Sequence, residues 1–581
     1  MPFRSSKPGG ILLLLAGMLW LSLSVHSQEA QQSGEQQTAA PAAASELPPV
    51  PQGVEVLARG PVHEAFATPT TEPVPTKPVA KEPPKPLEEM PPAEKPEGNV
   101  TWIAGYWAWD DDKNDYLWVS GTWRVAPPNK KWVAGYWKED GNQWRWVPGF
   151  WTAAEAEQQA TAQQITYLPA PPAPPETAGP GQAPTADSFY VPGHWVFHNA
   201  GYVTIGGAAV WREAGYAWEA GYWARVQPGY VWVAAHYRWT PSGFVYIPGY
   251  WDLVIANRGV LYAPVYVDTV VVGPRFVYTP AYCVRDTIVL DAMFVRPCYC
   301  HYYFGDYYEP RYHELGFETC IVYSRRHYDA VFVYERYQHR ADPRWESVQI
   351  DISLGRSAGR YPVPPRTLVQ QNVIVQNNVT INNINNVKNV NVVNNNTTVN
   401  RTVNNSQVLM PASQLAASKG IRTVPLDTGA RQQAQQQAQA IRQVAMQRSQ
   451  TEVPVRPGQA IQPRTASLNV PHTQPVITRQ EAARGVQNSN GMVRTAAAQQ
   501  TVSPAGGGKM PGNTNGVSPA ANSARPAALT GPSGAAGNSA NQHGALPGMA
   551  RPAPTGRPSL LQQRPAQKAK AGQKRPSDKD K

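Results

Sequence analysis

Trp132-Val-Ala-Gly-Tyr-Trp137-Lys-Glu-Asp-Gly141-Asn-Gln-Trp144-Arg-Trp146-Val-Pro-Gly-Phe-Trp151 is the stretch whose reading decides the fold. Two copies of aromatic-x-x-Gly-x-Trp start 14 residues apart, at Trp132 and Trp146. Gln143 to Val147 alternates polar with aromatic or β-branched residues, the period-2 signature of a strand. Asp140-Gly141-Asn142 supplies the residues of a tight hairpin turn. In Val147-Pro148-Gly149-Phe150, Pro and Gly occupy the two central positions of a type II turn, in which the glycine holds a positive φ.

The pattern extends in both directions. Upstream stand Trp102-Ile-Ala-Gly-Tyr-Trp107 and Trp118-Val-Ser-Gly-Thr-Trp123, so the first four copies start 16, 14 and 14 residues apart. Downstream the motif resumes at Tyr190, Trp218, Trp232 and Tyr246, with Ala235 replacing the glycine in one copy. Residues 202–207 lie where a degenerate copy belongs, and 262–266 and 278–282 read as drifted copies. Of the 19 tryptophans, all but Trp20 and Trp345 fall between Trp102 and Trp251. Internal repetition of this kind outranks other local signals in setting architecture. The expected fold is mainly β: repeated short antiparallel hairpins built from 14–16-residue aromatic repeats. Gly105, Gly121, Gly135, Gly149, Gly193, Gly221 and Gly249 are its expected turn glycines.

The repeats resemble the bacterial YXWGXW-repeat (WXXGXW) proteins, exported proteins largely of unknown function. The resemblance rests on residues 99–251, implies a repeat architecture and an envelope or extracellular location, and brings no catalytic residues with it.

The flanks read differently. Arg4 and Lys7 precede an apolar run from Ile11 to Leu23, followed by Val25-His26-Ser27, the pattern of a secretory signal cleaved after about Ser27. That run is shorter than the roughly 20 apolar residues of a membrane span, so 1–27 is expected to be a signal peptide and the mature chain secreted, periplasmic or envelope-associated. Residues 28–98 are rich in Pro, Ala, Glu and Gln and read as a disordered spacer. Gly53 to Phe66 is less biased and suited to docking. The first repeat block spans 99–152, a Pro/Ala-rich linker 153–188 and the second block 189–298.

Residues 299–355 form a Tyr-, Cys- and His-rich module with short helices, one capped by Asp329 and another opened by Asp342-Pro343. Cys283, Cys298, Cys300 and Cys320 cluster there, and in an exported chain they read as two disulfides with three possible pairings. Cys298-Tyr-Cys300 lacks the spacing of common zinc sites, so no metal is expected. An Asn-rich segment, 366–405, reads as isolated strand or disorder. The tail, 406–581, carries 21 Lys and Arg against five Asp and Glu from Ser406 onward, leaving the rest of a +11 chain mildly acidic. It reads as disordered apart from a polar helix over 430–449. Its charge suits contact with anionic envelope polymers, but no aromatic residues interleave with it, which argues against specific nucleic-acid binding.

The sequence holds no nucleophile elbow, phosphate-binding loop, zinc-protease or dinucleotide motif, so no enzyme and no cofactor is expected. Asp110-Asp111-Asp112 reads as a solvated turn. The strongest functional feature is aromatic surface, because a thin meander cannot bury this many indoles on one face. Trp107, Trp123, Trp137, Trp151, Trp195, Trp223 and Trp251 are the candidate binding rings. The expected role is structural or adhesive, towards an envelope protein or polysaccharide. Glycan binding as an accessory module is the alternative, and an enzyme hidden in 260–360 a distant third.

Overall fold

Two motifs make one hairpin. A computed structural model describes residues 47–154, 162–175, 181–205, 208–382, 407–416, 421–456, 458–471 and 474–483. In the first hairpin, Tyr106–Asp110 pairs with Asp115–Val119, and beyond a two-residue break in each strand Thr101–Ile103 pairs with Thr122–Arg124. The second hairpin repeats this with Tyr136–Asp140 on Gln143–Val147 and Lys130–Val133 on Phe150–Ala153. The fourth uses His236–Thr240 on Gly243–Ile247 and Tyr230–Val233 on Tyr250–Leu253. The third is longer. Ser188–Val191 pairs with Tyr222–Arg225 and His194–His198 with Gly215–Glu219, and Gly201–Ile205 with Ala208–Arg212 extends the tip. Residues 202–205, expected to begin a degenerate copy, belong to that tip.

The motif's aromatic residues meet their counterparts directly across each hairpin, Trp102 opposite Trp123, Trp107 opposite Trp118 and Trp195 opposite Trp218. Ring centroids in these three pairs lie 5.2–5.3 Å apart in edge-to-face geometry. Such pairs add about 0.5–1.5 kcal/mol each beyond the area they bury.

The motif glycines are not type II turn residues. None of the seven is among the residues with positive φ, so the turn expectation is corrected. Each glycine lies instead against the first aromatic ring of the partner motif. A Cβ on Gly149 would stand 2.4 Å from Trp132 Cζ2 and 2.8 Å from the Val133 carbonyl oxygen, and on Gly135 2.5 Å from Trp146 Cζ2. Gly105 meets Trp118, Gly121 meets Trp102, Gly193 meets Trp218, Gly221 meets Tyr190 and Gly249 meets Trp232 in the same way. The spacing W-x-x-G-x-W is therefore a packing rule: one indole, one bare backbone beneath it.

The rest of the chain covers these hairpins. After the fourth hairpin, Gly259–Leu261 and Val265–Val267 pair with the returning strands of the first. Residues 47–98, expected as a disordered spacer, run as a strap: Val54–Val56 pairs with Val265–Val267, and Glu88–Glu89 lies parallel to Val277–Tyr278. Phe66, Ala58 and Val62 of the strap are fully buried. The linker also carries structure, since Gln163–Leu168 joins the fourth hairpin's sheet and Arg464–Leu468 pairs alongside it.

The tail's expected helix is present, and the correction is that it packs as core and that its described neighbours carry strands at Leu409–Pro411, Thr423–Pro425 and Arg464–Leu468. Thr428–Thr451 is a helix that buries Ala430, Ala434, Ala438, Ile441, Val444 and Arg448, one seam at spacings of three and four. Ala434 and Ala438 pack with Trp102 and Trp123, and Ile441 with Trp132 and Trp151. Leu368–Asn382, the start of the Asn-rich segment, is also helical rather than strand. The remainder of that segment, the sequence after 483, the expected signal peptide at 1–27 and residues 28–46 lie outside the described residues.

Helices occupy Ala330–Gln338 and Trp345–Ser357, the first capped by Asp329, which accepts from the Val331 and Phe332 amides. The disulfide staple is not formed: none of the four cysteines is in a disulfide. Cys283 is buried beside Trp102, Tyr262 and Met410, and Cys320 in the core with Tyr302 and Phe332. The acidic run is no solvated turn either. Asp110 accepts from the Tyr266 hydroxyl, Asp111 meets Arg296 at 2.6 Å, and Asp112 binds Arg59 and Arg311.

Gly149→Ala is expected to lower stability by about 1–3 kcal/mol, because the added methyl overpacks a ring and a carbonyl at once. Pro148→Ala should cost less than about 1 kcal/mol. Urea unfolding followed by tryptophan emission measures both, and equal small effects would contradict the packing rule.

Candidate functional site

Each hairpin break leaves backbone amides unpaired by the ladder, and buried amides need partners. In the first hairpin the partner is Glu89 of the strap. It accepts from the Gly105 amide at 2.9 Å, the Gly121 amide at 2.9 Å and Trp118 Nε1 at 3.1 Å. In the second it is Glu64, which accepts from Trp146 Nε1 at 2.7 Å and the Gly149 amide at 2.9 Å. Both carboxylates are buried.

Carbonyls at the breaks are also met. Arg448 of the tail helix donates to Ala134 at 2.6 Å and Pro148 at 3.2 Å, and is held by Glu452 at 2.8 Å. His63 Nε2 reaches the Ala104 carbonyl at 3.1 Å. The motif thus builds a clamp on one carboxylate, from two glycine amides and an indole N–H in the first hairpin and from one glycine amide and an indole N–H in the second. Neither Glu64, Glu89 nor Arg448 belongs to a repeat, and no motif signal points to them. The only hint was the less biased composition of Gly53 to Phe66, which contains Glu64.

Burial pushes the Glu64 carboxyl up to about 7 despite its two donors. Glu89 is likewise raised by burial. His63 and His301 are pushed down to about 4 by burial. The 3.3 Å approach of His301 Nε2 to Glu64 is therefore a contact of a neutral ring at neutral pH, not an ion pair. These displaced groups are bound into structural contacts.

The candidate rings separate into two groups. Trp107, Trp123 and Trp151 are buried, which removes them from any binding surface. Trp137 is half-buried and donates to the Trp107 carbonyl. Trp195, Trp223 and Trp251 are half-buried. The first hairpins are covered because strap and tail helix lie over them.

The third hairpin is covered least, and exposed aromatic surface concentrates there: Tyr202 is 74% exposed, Trp211 51% and Tyr222 48%. Tyr202 and Trp211 stand opposite each other at the tip with centroids 5.1 Å apart, and Trp211 Nε1 donates to Glu213. None of these three was among the expected binding rings. Tyr202 and Trp211 lie outside the motif copies, whereas Tyr222 occupies the variable position before Trp223. Among the described residues no cluster of His, Cys, Asp and Glu could hold a metal ion, and no helix is long and apolar enough to cross a membrane.

The WXXGXW repeat family model matches residues 99–124, 132–152 and 228–252, the segments of the first, second and fourth hairpins. The third, exposed hairpin lies outside the matched residues. No curated protein and no solved structure matches the chain.

The Glu64 carboxyl gives a pH signature. Its folded value of about 7 lies above the ordinary value of 4.5, so its contribution is fully present below 4.5 and is lost as pH rises through 7. Glu64→Gln should therefore gain on the wild type by roughly 3 kcal/mol between pH 4.5 and pH 8. Urea unfolding of both proteins across that range checks it; a constant difference would contradict a buried, largely protonatable Glu64.

Proposed function

We propose that this WXXGXW-repeat protein is an exported, non-enzymatic component of the cell envelope that holds a protein partner on the aromatic tip of its third hairpin. The observation that carries the reading is the contrast among hairpins built on one motif. The first two hide their rings under the strap and the tail helix, while the third presents Tyr202, Trp211 and Tyr222. Tyr and Trp dominate the energetics of protein contacts because they offer large rigid area at low entropic cost. Support for export comes from Arg4, Lys7 and the apolar run from Ile11 to Leu23. Support for a non-enzymatic role comes from the use of Glu64 and Glu89 as clamps, and of Asp329 as a helix cap.

Glycan binding is the second reading, and one observation favours it. The Trp211 ring is exposed beside Glu213, and an open indole face next to a carboxylate suits a sugar ring and its hydroxyls. A non-specific role for the basic tail towards anionic envelope polymers is compatible with either.

Retention of the full mature chain on isolated envelope fractions of the producing cell tests the proposal. Tyr202→Ser with Trp211→Ser should weaken retention by about tenfold or more, with the thermal midpoint kept because both rings are exposed. Protease treatment of the envelope beforehand should abolish wild-type retention. Retention that survives protease transfers the role to a glycan, and retention indifferent to the double substitution contradicts the site.

A further inference from the structure

The donors that grip Glu89 in the first hairpin recur in the third. There the ladder breaks between the pairs Val191–Tyr222 and His194–Glu219, with Gly193 and Gly221 at the break. Gly105 and Gly121 stand likewise between Ile103–Thr122 and Tyr106–Val119. Trp218 takes the place of Trp118: its ring meets Trp195 at 5.3 Å, as Trp118 meets Trp107 at 5.2 Å. A Cβ on Gly193 would stand 2.8 Å from Trp218 Cε2, and one on Gly105 2.9 Å from Trp118 Cε2. The two indoles thus lie on their glycines alike. What differs is the acceptor. The Gly193 and Gly221 amides and Trp218 Nε1 have none among the described residues. All three residues are half-buried, whereas Gly105, Gly121 and Trp118 are buried.

The chain's own segments supply a carboxylate to the first hairpin but not in the same register to the third. The strap crosses the first hairpin with the Lys81 carbonyl accepting from the Tyr116 hydroxyl at 2.6 Å and the Lys85 carbonyl from Trp107 Nε1 at 2.9 Å. Glu89 follows four residues later. The linker makes the same two contacts on the third hairpin. Pro169 accepts from the Tyr216 hydroxyl at 2.6 Å and Ala173 from Trp195 Nε1 at 3.2 Å. Four residues after Ala173 the sequence has Thr177, preceded by Glu176, and both lie outside the described residues. Thr177 offers no carboxylate where the strap has Glu89. The fourth hairpin is a different case, with Ala235 in place of a glycine and Tyr246 in place of the indole. The filled clamps define the chemistry of an occupant. Glu64 and Glu89 both stand on extended, proline-flanked stretches, Pro61-Val-His-Glu64 and Pro86-Leu-Glu-Glu89-Met-Pro91. A carboxylate can accept from all three donors at once, and charge makes each bond stronger than a neutral oxygen would.

We propose that the break of the third hairpin is a carboxylate clamp for a partner protein: it takes a glutamate side chain from an extended, proline-flanked segment, with the Gly193 and Gly221 amides and Trp218 Nε1 donating to it. This rests on the reading of the third hairpin as a partner-binding element and states the chemistry of that partner. Tyr222, 48% exposed beside Gly221, offers a ring next to the clamp for the residues that flank the glutamate.

NMR of the full mature chain, labelled with nitrogen-15 at glycine and tryptophan, tests this with a capped hexapeptide copy of Pro86–Pro91 and a counterpart carrying Gln for both glutamates. The Gly193 and Gly221 amides and the Trp218 indole N–H are expected to shift together and saturably with the glutamate peptide. That peptide should bind at least about tenfold more tightly than its glutamine counterpart, the worth of one charge-assisted bond. The Trp118 and Trp146 indoles, already paired with Glu89 and Glu64, should not shift. Trp218→Phe keeps a ring on Gly193 but removes the N–H, and should reduce the preference for glutamate by about fivefold or more. The peptide comparison on the wild type stands even if that variant folds poorly. No saturable shift at the three protons, equal affinity of the two peptides, or a preference untouched by Trp218→Phe overturns the proposal. Binding that appears only in Glu176→Gln assigns the clamp to the chain's own linker and overturns it as well. Peptide binding with envelope retention indifferent to Tyr202→Ser and Trp211→Ser keeps the clamp and removes the tip. Retention that needs the tip, without peptide binding, removes the clamp and keeps the tip.

Discussion

The structure depends on one constraint: an indole must lie on bare backbone, and the backbone freed by that contact must find an acceptor. Gly149 beneath Trp132 and Gly121 beneath Trp102 leave no room for a Cβ. Both glycines sit at a break where the ladder is interrupted, and their amides turn to a carboxylate. Glu89 and Glu64 satisfy three and two such donors, respectively. The breaks of the first two hairpins are therefore not satisfied within the repeats. Their partners are glutamates from a segment that precedes them and, in the second hairpin, Arg448 from a helix some 300 residues further along the chain.

This dependence explains what the sequence revealed and what it hid. The hairpins were legible because their aromatic positions recur in register and their turn residues stand between them, as at Asp140-Gly141-Asn142. The pairing of two motifs into one hairpin was not, because a proline before glycine at 148–149 mimics a turn whose φ the chain never adopts. The strap was hidden by composition. Prolines that prevent regular structure still allow an extended segment to lie in a groove, where Val62 and Phe66 are buried and Glu64 and Glu89 accept from the hairpins. The tail helix was legible as a helix but not as core. Half of its buried seam is alanine, which reads as polar low complexity when averaged with glutamine. The cysteines misled because clustering in sequence does not bring side chains together: Cys283 and Cys320 belong to separate cores.

The proposed function rests on which hairpins are covered. Where strap and helix lie over the rings, the motif becomes architecture, and its donors hold glutamates of the strap. Where they do not, at the tip of the third hairpin, the same kind of cross-strand aromatic pair faces solvent. The hairpins thus supply both a covered interior and an exposed aromatic surface, and the segments packed over them decide which.

The most direct measurement of this account is hydrogen exchange at the Gly105 and Gly121 amides and the Trp118 indole, in wild type and in Glu89→Leu. If Glu89 clamps the first hairpin, all three protons exchange in the wild type only through large-scale opening, and together. In Glu89→Leu their protection falls by about a hundredfold or more, the cost of leaving buried donors unpaired, while amides in the third hairpin keep theirs. Rapid exchange at these three protons in the wild type, or protection unchanged without Glu89, would contradict the clamp.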